Sequence, residues 1–97
     1  MKKTFPLRHP AKADARVRDA IRHEVNKYVG RERRKPLPPE TDLRVFSCRV
    51  GADEASASPQ ELAAVSSAID AVAATGAKTV FIGIVPQAVR RSSSHRA

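Results

Sequence analysis

Residues 78–86 read Lys-Thr-Val-Phe-Ile-Gly-Ile-Val-Pro, and this stretch decides the fold. Val80, Ile82 and Ile84 point one way at the period of two, while Phe81 and Val85 point the other. A strand that is apolar on both faces belongs in the middle of a sheet, covered on each side. The rest of the chain must therefore supply flanking strands and the helices that lie on them.

Working back, Ser58-Pro59-Gln60-Glu61 carries the pattern of a helix start. Ser58 suits the N-cap, Pro59 the first helical position, and Glu61 can reach back to close a capping box. The spacing of Leu62, Val65, Ile69 and Val72 predicts a helix to about Thr75, with Gly76 as its stop. Gly51 to Ala57 is small and polar, a loop. Leu43 to Val50 reads as a strand with Phe46, Cys48 and Val50 on one face and Val45, Ser47 and Arg49 on the other. If this strand and 78–86 are parallel neighbours, the helix between them crosses over right-handed.

Further back, a long helix is expected to start between Ala11 and Asp14 and to end near Lys35. Val17, Ile21, Val25 and Tyr28 form its apolar stripe. Asp14 and Asp19 near its start and Arg31, Arg33, Arg34 and Lys35 at its end complement the helix dipole. Gly30 weakens its last turns, and Pro36, Pro38 and Pro39 terminate it. Thr4 to Arg8 reads as a first strand, with Phe5 and Leu7 on one face and Pro6 confining it to an edge.

The order is thus β-α-β-α-β: a small two-layer α/β (or α+β) domain of about three strands and two helices. It spans residues 1–91, and 92–97 reads as a disordered tail. Two helices cover both faces of such a sheet thinly, so a leftover apolar face could be buried in a second protomer. The outward positions of the second helix (Ala63, Ala64, Ser67, Ala68 and Ala71) are small enough to suit the same purpose.

A chain of 97 residues and 10.5 kDa is one domain, too small for a two-domain enzyme with a deep cavity. It has no Trp and four aromatics in all, which disfavours aromatic-lined pockets. The single Cys48 excludes an internal disulfide and fits a reducing compartment. Met1 to Leu7 has the charge of a signal peptide but no apolar run behind it, and no stretch approaches a membrane span. These features describe a cytoplasmic protein that keeps its own N-terminus.

The formal charge is +8. Residues 1–49 hold 14 Lys and Arg against 6 Asp and Glu, whereas 50–97 hold 4 of each. The whole excess therefore lies in the first half. At 100° per residue, Lys12, Arg16, His23, Lys27 and Arg34 fall within about 60° of arc, opposite the apolar stripe. Arg31 borders that arc, while Arg18, Arg22 and Arg33 lie on the far side. A ridge of cations matches phosphates along a nucleic-acid backbone and binds them by releasing counterions. The plainer reading is a solvated helix face with Asp14–Arg18 and Asp19–His23 as local pairs. Yet Lys12 to Lys35 holds nine basic and four acidic residues, so most of that charge lacks a partner.

No other constellation rises to chemistry. Cys48 sits on the inward strand face as a small hydrophobe. His9, His23, His95 and Cys48 lack metal-ligand spacing, so no metal or cofactor is assigned. Glu24 is placed for local pairing with Lys27 and Tyr28, and no second carboxylate converges on it.

Three stretches carry a resemblance: Met1-Lys-Lys-Thr-Phe-Pro-Leu7, Arg18 to Pro38 (RDAIRHEVNKYVGRERRKPLP), and Phe46-Ser-Cys-Arg-Val-Gly51. Together they are similar to short proteobacterial proteins grouped as a domain of unknown function, and they span most of the chain. Similar proteins often place an aromatic near position 44, where this chain has Arg44. The resemblance implies no catalytic residues.

The sequence thus predicts a non-enzymatic protein that binds RNA or DNA backbone through Lys12, Arg16, Arg22, Lys27, Arg31, Arg33, Arg34 and Lys35. The alternative is a protein-interaction or homo-oligomeric module whose basic face only keeps it soluble.

Overall fold

The computed structural model describes residues 1–90. Its elements are β1 (Lys2–Pro6), α1 (Asp14–Arg34), β2 (Leu43–Gly51), β3 (Ser58–Gln60), α2 (Val65–Ala74) and β4 (Thr79–Val89). A 3-10 turn, Leu62–Ala64, leads into α2. One four-stranded sheet has the order β1-β4-β2-β3, with every neighbouring pair antiparallel. The domain is α+β, with one strand more than the pattern of the sequence suggests. The expected tail, 92–97, lies outside the described residues.

The extra strand is Ser58–Gln60, where the sequence predicts a helix start. Cys48 pairs with Gln60 and Val50 with Ser58. Pro59 falls on the outer edge of the sheet, where its missing N–H costs no ladder bond. The helix begins later, through Ala64 N–H donating to Glu61 O (2.9 Å), and α2 has no side-chain cap. Because β3 reverses the chain first, β2 and β4 meet antiparallel, and the parallel crossover does not arise.

β1 and β2 both run antiparallel to β4 and flank it, so they are parallel to each other with α1 between them in sequence. β3 and β4 flank β2 in the same way, joined through α2. Two split β-α-β units therefore interlock. β4 is central and β1 is an edge, as the double apolar face and Pro6 require.

Both helices pack on one face of the sheet. Ile69, Val80, Ile82 and Ile84 are fully buried at the centre, joined by Phe5, Leu7, Val17, Ile21, Val25, Val29, Cys48, Val50 and Val65. The α1 stripe thus ends on Val29, and Tyr28 lies half-buried at its margin. There the Met1 amino nitrogen donates to Tyr28 Oη (3.1 Å) and to Ile84 O (2.6 Å). Gly76, at φ +83°, ends α2 in the left-handed conformation that suits glycine.

The second face of β4 has no helix over it, so the cover on each side that its double apolar pattern predicts is not met: both helices lie on the Val80, Ile82 and Ile84 face. Phe81 is nonetheless 4% exposed, because its ring lies against the bare Cα of Gly83. Val85, beyond it, is 42% exposed.

Candidate nucleic-acid interface

The 21 residues of α1 make a rod of about 31 Å. Its apolar stripe fixes its rotation on the sheet, and that rotation sends the 60° arc of cations outward. Lys12, Arg16, Lys27, Arg31 and Arg34 are all exposed. Among the described residues, none of these five side chains has a hydrogen-bond or ion-pair partner. His23 lies exposed between Arg16 and Lys27 on the same line.

Lys12 precedes the helix in a turn held by His9. The Ala11 N–H donates to His9 Nδ1 (3.0 Å), and the Lys12 N–H donates to His9 O (3.3 Å). Ala11, Lys12, Ala13 and Arg16 line a shallow hollow at this end of the ridge. The role of His9 as the brace of that turn is not visible from its spacing to other ligand-type residues.

The other predicted residues are spoken for in different ways. Arg22 faces α2: its guanidinium donates to Ser66 Oγ (2.7 Å), to Asp19 Oδ1 (3.0 Å) and to Asp70 Oδ1. Arg18 Nε donates to the same Asp70 oxygen (3.1 Å). These two arginines clamp α1 to α2, in place of the Asp14–Arg18 and Asp19–His23 pairs the spacing suggests. Glu24 likewise forms no ion pair with Lys27. Arg33 extends over the Phe46 ring, 5.6 Å from its centroid, in a cation–π contact that leaves its charge unneutralised. Lys35 Nζ pairs with Glu32 Oε2 (2.7 Å).

Arg44, missed as a site residue, arrives at the same end from β2. Its guanidinium donates to Lys35 O (2.9 Å) and Pro36 O (3.4 Å), satisfying carbonyls just past the helix terminus. The alternation of β2 carries the signal, since position 44 shares the inward parity of Phe46, Cys48 and Val50. Arg49 has the opposite parity and donates to Glu54 O (3.1 Å) and Ala57 O (3.4 Å) in the β2–β3 loop. It stands across the sheet from the ridge.

Two of the four acidic groups of α1 are turned away from the ridge, and the other two, Asp14 and Glu24, are exposed and, among the described residues, form no ion pair with its cations. Asp19 is drawn toward Arg22 and Glu32 toward Lys35. Cys48 is 2% exposed, and burial raises its thiol above the ordinary value, which keeps it protonated and a poor nucleophile. Among the described residues no group of three His, Cys, Asp or Glu side chains is gathered as a metal would need, and no helix is long and apolar enough to cross a membrane.

The fold and this surface define a small two-layer α+β domain that displays a cationic helix on its open side. The chain belongs to a Family of unknown function (DUF6172), whose model matches residues 1–95. No curated protein and no solved structure matches it.

Proposed function

We propose that this protein is a non-catalytic binder of polyanions, RNA or DNA, engaging the phosphate backbone through the outward face of α1. The observation that carries the reading is the line of five unpartnered cations: Arg16, Lys27, Arg31 and Arg34 on one rigid rod, and Lys12 in the turn that leads into it. A cation already paired with a carboxylate gains little from a phosphate, whereas these five have no such pairing to give up. Arg33 adds charge at the C-terminal end. Arg22 belongs to the helix clamp and contributes to the field without touching the ligand.

Flexible cations on a convex ridge contact phosphates, which position a nucleic acid without reading its bases. Binding is therefore indifferent to sequence. Engagement of five phosphates gives a slope of log K against log salt between about −4 and −5 on duplex, and about −3.5 on a single strand. A salt titration of fluorescently labelled duplex DNA and single-stranded RNA measures both slopes. Absence of binding at the lowest salt overturns the reading.

A further inference from the structure

β2 is nine residues long, but β3 pairs with its Cys48–Val50 end only. The other half, Leu43–Ser47, is bonded to β4 on one side and to no strand on the other. The Ile84 N–H donates toward β1, to Met1 O (2.7 Å). Alternation along the antiparallel ladders then turns the N–H and C=O of Arg44 and Phe46 to the free edge of β2.

Open edges invite strand addition, and proteins blunt them with proline or charge. The other edges here are blunted that way. β1 carries Pro6 along with exposed Lys2 and Lys3, β3 carries Pro59, and the overhang of β4 past Ile84 carries Pro86 on its free side. Among the described strands, the edge of Leu43–Ser47 has no proline; its one charged side chain, Arg44, is folded back onto Lys35 O and Pro36 O, and its midpoint, Val45, is 37% exposed.

The geometry points to a second copy of this chain as the occupant, paired antiparallel along Leu43–Ser47 about a two-fold axis through Val45. In that register Arg44 exchanges both backbone hydrogen bonds with Phe46 of the second copy, and the reciprocal pair does the same. The two Val45 residues become a non-hydrogen-bonded pair, the arrangement with the closer side chains. Each Arg44 lies beside a Phe46 ring, so no two strand cations stand directly opposite, although the Arg33 already over that ring adds a repulsive neighbour. A five-residue segment is self-complementary in this way because its centre is apolar and its two flanking residues differ. β3 blocks any longer overlap. Such a contact buries less than the roughly 1,600 Å² of a standard interface, so the dimer is weak. Repulsion between two +8 chains weakens it further at low salt.

The test is sedimentation equilibrium of the full chain in high salt, from about 10 µM to about 1 mM. Wild type is expected to rise from monomer towards twice its 10.5 kDa mass. Val45→Lys and Val45→Glu, each at an exposed position, are expected to remain monomeric alone and to associate when mixed in equal amounts. In wild type, amide exchange at Arg44 and Phe46 should slow as concentration rises. A wild-type chain that stays monomeric throughout overturns the proposal. So does a folded pair of variants that fails to associate on mixing, or one in which each variant self-associates as wild type does.

Discussion

At Gly51 an added Cβ would lie 2.6 Å from Ala57 Cα and 2.7 Å from Ala57 N, against backbone that cannot rotate away. Gly51→Ala is expected to destabilise the domain by about 1–3 kcal/mol, the range for overpacking. Gly30, inside α1, meets nothing within 4 Å. Gly30→Ala should stabilise by up to about 1 kcal/mol through helix propensity. Urea midpoints of the two variants should therefore move in opposite directions from wild type. Tyr28 gives a second residue-level test. Burial first, and the Glu32 carboxylate second, raise its phenol above the ordinary 10.0, with Lys35 and Arg31 opposing. The folded chain keeps this proton at pH values where the unfolded chain loses it. The stabilisation is complete below pH 10 and disappears as pH climbs through the raised value. As the chain has one tyrosine, phenolate absorbance follows the titration directly, and Tyr28→Phe should flatten the loss of stability at alkaline pH.

Elements with a long period or a two-sided pattern are legible from sequence. α1 starts at Asp14 and stops before Pro36 because its stripe, first-turn Asp14 and closing prolines agree. β4 takes the centre because both its faces are apolar. What the sequence hides is pairing between segments distant along the chain. Ser58-Pro59-Gln60 has a good local helix signature, yet β2 needed a neighbour for Cys48 and Val50, and the ladder prevailed. Ser58→Ala should accordingly shift stability by less than about 0.5 kcal/mol, against the loss of about 1 kcal/mol that a helix N-cap would show on thermal unfolding. Arg18 and Arg22 likewise read as surface charge until α2 brings Asp70 to them. Two partly exposed pairs through one carboxylate make Asp70→Asn worth about 1 kcal/mol. Its effect should be largely erased in an Arg18→Ala, Arg22→Ala background.

For the molecule as a whole, the charge asymmetry was legible and its sorting was not. Helical angles separate Lys12, Arg16, Lys27 and Arg34 from Arg22, but only the placement of α2 shows that Arg22 is committed to Asp19, Ser66 and Asp70. The fold thus divides the basic half into cations that hold the two helices together and cations that face outward. If the outward set binds polyanions, position matters beyond net charge. The decisive measurement compares two triple variants of equal charge for affinity to a labelled RNA at low salt. One is Arg16→Glu, Lys27→Glu, Arg34→Glu on the ridge; the other is Lys2→Glu, Arg8→Glu, Lys78→Glu, all exposed and off it. Each replacement subtracts two charges, so both variants fall from +8 to +2. The ridge variant is expected to lose binding and the other to retain most of it, with circular dichroism unchanged in both. Equal loss in the two, or retention by the ridge variant, would contradict the assignment of the α1 face.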